Sequence, residues 1–136
     1  MKDPTEKSLR CLVSDQFAAH CDIELISITP GHARAKMVLQ AHHLNGLGII
    51  QGGAIFTLAD FAFAAASNSH GTIAVAVNVS ITFIQAAIAG TLYAEAREIS
   101  RNSRLGSYTV EVRNDKDELI ALFQGMAYRK KEKLPK

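Results

Sequence analysis

A chain of 136 residues, 48% hydrophobic and 21% charged, is long enough for one globular domain with a real core. The net charge of +2, with basic residues spread out except near the C-terminus, argues against nucleic acid as the main partner and leaves a small anionic ligand open. Two cysteines, Cys11 and Cys21, are too few for a disulfide framework or a zinc site, so no metal and a reduced, cytoplasmic setting are expected.

Residues 1–7 lack the apolar run of a signal peptide. Residues 4–20 read as one amphipathic helix. Leu9, Leu12, Val13, Phe17 and Ala18 form its apolar face, and Lys7, Arg10, Asp15 and Gln16 face water. Residues 23–29 read as a strand, stopped by the turn Pro30-Gly31. Residues 32–39 alternate, with Ala33, Ala35, Met37 and Leu39 against Arg34, Lys36 and Val38, which predicts a hairpin with one solvated face. Residues 41–48 have no periodicity and read as a loop.

The stretch 51–67 opens on Gln51-Gly52-Gly53. It continues with Ile55, Phe56, Leu58, Ala59, Ala62, Phe63 and Ala66 at helical spacing. Its remaining positions are mostly Ala or Phe, so the helix is apolar almost all round and is predicted to be buried. Ser67-Asn68-Ser69-His70-Gly71 holds good stop residues. Residues 73–84 predict a long strand with Val75, Val77, Val79, Ile81 and Phe83 on one face and Ala74, Ala76, Asn78, Ser80 and Thr82 on the other. Residues 91–100, 105–113 and 118–130 complete a meander, and 130–136 read as a frayed tail. The uncharged region is broken by Gly, Asn, Gln and His, a poor membrane span.

The predicted architecture is α+β: about six antiparallel strands in one sheet wrapped around a central apolar helix, plus an N-terminal helix. The edge strand needs a partner, which a homodimer would supply. Between Met37 and Ala94 the one charged residue is Asp60. Left ionised and unpaired in an apolar core it would cost several kcal/mol, so it either meets hydrogen-bond donors or works.

Leu44-Asn45-Gly46, Gln51-Gly-Gly-Ala-Ile-Phe-Thr-Leu-Ala-Asp60, residues 64–71, and the later pieces 74–83, 108–112 and 121–125 resemble the hotdog-fold acyl-CoA thioesterases of the phenylacetate-pathway PaaI type. The resemblance spans nearly the whole chain. It implies hydrolysis of acyl- or aryl-CoA to free acid and CoA, with no cofactor beyond the CoA of the substrate. It implies Asp60 as catalytic carboxylate, Gly52 or Gly53 as the amide that polarises the thioester oxygen, and Asn45 as a positioning residue from a second subunit. It also implies active sites across a homodimer interface, and dimers paired into homotetramers. Many relatives carry His where this chain has Gln51, and Gln donates a hydrogen bond without titrating near neutral pH. Many also carry Arg-Pro where this chain has Gln85-Ala86. Arg101 and Arg104 are the candidates to hold the nucleotide end of CoA instead. Phe61, Phe63 and Phe83 are the candidates to line the acyl slot, with Gln51 beside it.

Asp60 lies seven or eight residues into the helix, roughly 10–12 Å from the glycines by the rise per residue, so a second subunit must complete the site. Other readings stay in view. A hotdog protein that binds acyl-CoA without cleaving it would also fit, as would a hotdog hydratase or dehydratase using His42 or His43. A metal at His42-His43 is disfavoured, because adjacent side chains diverge and no third ligand has useful spacing. Ser67 and Ser69 lack a nucleophile-elbow context.

Overall fold

The computed structural model describes residues 4–12 and 14–135. In chain order the elements are α1 (Pro4–Leu12), α2 (Gln16–His20), β1 (Ile23–Thr29), β2 (His32–Val38), a 3-10 turn (Ala41–His43), α3 (Gly52–Ser67), β3 (Thr72–Phe83), β4 (Thr91–Arg101), β5 (Leu105–Arg113) and β6 (Leu119–Lys133). The strands form one antiparallel sheet in the order β1-β2-β4-β5-β6-β3. The helix α3 lies across its inner face. This is the hotdog fold that the sequence predicts.

The central helix is buried on most of its circumference, with Leu58, Ala59, Ala62, Ala65 and Ala66 fully inaccessible. The Ala content lets the backbone approach the sheet, and the aromatic side chains fill the space to either side. The Phe63 ring packs at 5.5 Å from both Tyr108 and Phe123, and Phe56 meets Phe123 edge-on at 5.6 Å. The helix end is tied into the sheet by Asn68. Its Nδ2 donates to the Ala64 carbonyl at 2.9 Å, and its Oδ1 accepts from the Ala74 N–H at 2.9 Å. Close packing leaves Gly125 no room for a side chain, since a Cβ there would lie 2.9 Å from the Phe63 ring and 3.1 Å from Phe123. Gly125→Ala is therefore expected to cost about 1–3 kcal/mol by overpacking. A lower urea midpoint with an unchanged slope would register it.

Three sequence expectations change. The N-terminal helix is two helices. Asp15 caps α2 by accepting from the Ala18 N–H at 2.9 Å, and that cap breaks the helix at Ser14-Asp15. Ala18 is buried as expected, but Phe17 is 65% exposed, and Arg10 tucks its Nε and Nη2 inward, away from water. Val13 and the Lys7 side chain lie outside the described residues. Second, the long strand does not keep one alternation throughout. Ala76 pairs with Ala127 and Asn78 with Met126, so Val77 is an extra residue in a bulge. The bulge flips the pattern, and Ala74 and Ala76 share the inner face with Val79, Ile81 and Phe83. Third, the tail is not frayed from residue 130. β6 runs to Lys133, Leu134 is buried, and its N–H donates to the Gly71 carbonyl at 3.0 Å.

The β3 strand is an edge. Val77 and Phe83 on it are 56% and 52% exposed, which leaves unpaired backbone and apolar side chains together along one border. No helix among the described residues is long and apolar enough to cross a membrane.

Candidate functional site

One flank of α3 is not covered by the sheet. Gly53, Ala54, Phe56, Thr57 and Asp60 fall there, because positions three, four and seven apart share a helix face. They line a cavity of about 690 Å³, closed on the other side by Phe17 and His20 of α2, Cys21, His42, His43 and Gln51.

Asp60 has no hydrogen-bond or ion-pair partner among the described residues. Burial pushes its carboxyl above the ordinary aspartate value, and the negative charge of Asp15 adds to the push. The group sits on a cavity wall, poised to hold or accept a proton nearer neutrality than an exposed aspartate.

At the start of α3, Gln51 is the N-cap, and its Oε1 accepts from the Gly53 N–H. The Gly52 N–H has no partner among the described residues. It is one of the orphan donors of a helix N-terminus, at the positive end of the dipole. A Cβ at Gly52 would meet Phe83 Cζ at 3.1 Å, so the aromatic ring and the bare backbone lie together. The helix rise separates Gly52 from Asp60 of the same chain by about 12 Å. One molecule of this chain therefore does not bring the two together.

Asn45 is occupied in shaping its loop. Its Oδ1 accepts from the N–H of Leu47 at 2.8 Å and of Ile49 at 3.3 Å. The Nδ2 has no partner among the described residues, and Asn45 does not line the Asp60 cavity.

None of the three phenylalanines expected at the acyl slot lines the Asp60 cavity. Phe61 turns toward α1, α2 and β1, where it lines a separate space of about 410 Å³ with Leu9 and Leu12. Phe63 is core. Phe83 stands at the end of β3 over Gly52. The phenylalanines that share the cavity with Asp60 are Phe56 and Phe17, which the sequence placed on apolar helix faces but not at the acyl slot. Phe56 was findable, because it precedes Asp60 by four residues, whereas Phe61 and Phe63 point about 100° and 60° away around the helix. Phe17 carried no such signal, since α2 meets α3 only through tertiary contact. Arg101 and Arg104 are exposed around the β4–β5 turn and do not line the cavity. The Arg101 charge acts on Glu98, which also bonds His70 at 2.8 Å, so this turn lies by the C-terminal end of α3.

His42 and His43 do not diverge as expected. Both converge on Asp22, at 2.6 and 3.6 Å from Oδ2. The backbone turn brings this about, with the His43 carbonyl accepting from the Gln51 N–H at 2.9 Å. The three residues place one ligand atom each within 4.8 Å of one another. His43 is nonetheless a poor metal ligand. Its Nδ1 accepts from the Gln40 N–H at 3.0 Å, so its hydrogen is on Nε2, which donates to the Cys21 carbonyl at 2.8 Å.

Comparison with known proteins places this geometry. The model of the thioesterase superfamily matches residues 47–121, the span from the loop before α3 into β6. A protein of Archaeoglobus fulgidus, named only as a candidate esterase, is 42% identical over 90% of this chain and 80% of its own length. The acyl-coenzyme A thioesterase PaaI of Escherichia coli is 38% identical over 85% of this chain and 84% of its own. Among solved structures, PaaI from the E. coli phenylacetic acid degradation operon superposes with a TM-score of 0.91 at 34% identity, covering 97% of this chain and 99% of that one. A variant of the phenylacetic acid degradation protein PaaI from Thermus thermophilus superposes with a TM-score of 0.82 at 32% identity, covering 85% and 100%.

Proposed function

The chain belongs to the thioesterase superfamily as a hotdog enzyme of the PaaI type that hydrolyses acyl-CoA thioesters, and on that footing we propose that Asp60 carries the chemistry. The carboxylate attacks the thioester carbonyl to form a mixed anhydride that water then cleaves, or it takes a proton from a water that attacks the carbonyl directly. Either way the C–S bond breaks, the CoA thiolate leaves and takes up a proton, and the acyl group is released as free acid. The Gly52 N–H is the donor for the oxygen that gains negative charge. Gln51 holds the helix end in shape by occupying the Gly53 N–H, and Asn45 positions the nucleophile or water through its Nδ2. No cofactor takes part beyond the CoA of the substrate. The observation that carries the reading is an Asp60 carboxyl on a cavity wall and a Gly52 amide at the helix N-terminus, neither with a partner among the described residues.

The helix rise supports a site shared between two copies. In a two-fold pair with antiparallel α3 helices, Asp60 of one chain faces Gly52 of the other when the axis passes near residue 56. The open β3 edge gives such a homodimer its seam. Val75, Ile99, Met126 and Tyr128 are exposed on the outer face of the sheet, which suits pairing of dimers into a homotetramer. The antiparallel arrangement also turns the C-terminal end of one α3, with Arg101 and Arg104 beside it, toward the glycine turn of its neighbour. That is where the phosphates of CoA would emerge. On the same reading the protein is cytoplasmic, consistent with free Cys11 and Cys21, and acts on aryl esters of phenylacetate degradation.

A panel of acyl- and aryl-CoA esters with a thiol-reactive dye tests the reading. Release of CoA thiol supports it, and tight binding without release would instead favour an acyl-CoA-binding protein. A finer check is pH. The Asp60 base works only when ionised, and its carboxyl is raised first by burial and then by Asp15. Asp15→Asn removes the charge, so the acid limb of the kcat/KM profile is expected to move to lower pH. The limb should stay above the ordinary aspartate range because burial remains. An unmoved limb would mean that Asp60 is not the group that titrates.

A further inference from the structure

The space on the far side of α2 has no part in the hydrolytic step. Phe17 and His20 of this helix line the Asp60 cavity, whereas Ala18 and Ala19 line the second opening, of about 410 Å³. Buried Leu12 of α1, Ile23 of β1 and Phe61 of α3 give that opening an apolar floor. The charged side chains on its walls are Asp15 and Glu24, both exposed, so they stand at the rim. No Lys, Arg or His of the described residues lines it with them. Lys36 comes within 3.7 Å of Glu24 from outside, and Arg10 is not on the walls. The strand β1 is the sheet edge opposite β3. A homodimer seamed along β3 therefore leaves this opening uncovered.

We propose that this opening is a second ligand site, separate from the hydrolytic one, and that its ligand is a small apolar cation. An aryl- or alkylammonium ion would lay its body on Leu12, Ile23 and Phe61 and turn its charge toward Asp15 and Glu24. Charge complementarity makes the choice. A carboxylic acid or a CoA ester would bring negative charge to a rim that already holds two carboxylates. A neutral apolar molecule would gain from the floor and nothing from the rim. Asp15 keeps its structural duty with the ligand bound, because the α2 cap uses Oδ1, which accepts from the Ala18 N–H at 2.9 Å. The site stands whether or not Asp60 carries the chemistry, since Asp60 lines the other cavity.

Titration with 2-phenylethylammonium, followed by NMR chemical shifts of the wild-type protein, tests the proposal. A dissociation constant below about 1 mM is expected. The alcohol 2-phenylethanol, with the same ring and no charge, is expected to bind about fivefold more weakly. Ethylammonium, with the charge and no ring, is expected not to bind measurably. Asp15→Asn combined with Glu24→Gln should bring the amine and the alcohol to within about twofold of each other. Asn caps a helix as well as Asp, so α2 is kept. Ala19→Leu, at an exposed position of α2, should fill the opening and abolish binding. Asp60→Asn should leave the affinity for the amine unchanged. A loss in Asp60→Asn would put the amine in the hydrolytic cavity and overturn the proposal. So would no binding, equal affinity for amine and alcohol, a fivefold gap that survives the double substitution, or binding that survives Ala19→Leu.

Discussion

Asp60→Asn is expected to lower kcat by about a thousandfold, since general-base catalysis contributes roughly 10²–10⁴ and the amide neither attacks nor accepts the proton. Thiol release from CoA esters would measure it, with sedimentation to confirm an unchanged oligomeric state. The same substitution should raise stability at neutral pH. The folded carboxyl binds its proton more tightly than the unfolded one, mainly through burial and then through Asp15. Below the ordinary aspartate range both states are protonated and nothing is lost. As pH rises beyond that range the unfolded chain gives up the proton first, and the folded wild type loses stability until its own carboxyl ionises. Asn carries no such penalty. The gap between the two melting curves should therefore open with increasing pH and then level off. Near-normal turnover, or a gap that closes with pH, would remove Asp60 from the mechanism.

Gly52→Pro should be nearly as damaging to turnover and almost silent in the fold. Proline deletes the N–H that has no partner among the described residues, and one oxyanion donor is commonly worth about 10²–10³ in kcat. The first helical position tolerates proline well. The residue before it must be extended, and Gln51 already has φ −64° and ψ 132°. Phe83, half exposed, can give the few tenths of an ångström that a Cβ requires. Gly52→Ala adds the same Cβ and keeps the N–H, so it separates lost hydrogen bonding from added bulk. Full activity in folded Gly52→Pro protein would exclude this amide as the donor.

How far a residue's role could be read in advance depends on how locally it is determined. The apolar run from Gly52 to Ser67 fixes a buried helix by itself, because no other arrangement hides so many Ala and Phe side chains. The alternation of residues 105–113 likewise fixes its strand and face. The Val77 bulge was invisible, since an extra residue becomes one only when Ala127 and Met126 set the count on the neighbouring strand. The break at Asp15 was legible in principle, because Asp is a strong N-cap, but the apolar spacing ran through it and outweighed it.

At the site, Asp60 stood out because a lone charge in a long uncharged region is a property of composition. Which aromatic rings lie beside it was decided elsewhere. Phe61 and Phe63 are nearer in sequence, yet the helix turns them into other surroundings, while Phe17 arrives from α2 across a gap that no periodicity spans. His42 and His43 show the same limit. As neighbours in sequence they should point apart, but a 3-10 turn held by Gln51 and a carboxylate from the far side of β1 bring them together. The sequence alone determined the elements, the buried helix and the chemically costly carboxylate, because these follow from side-chain polarity and backbone period. The tertiary structure decided what shares a cavity, which amides remain unpaired and how a proton is held, because those depend on distances between segments that local propensity does not encode.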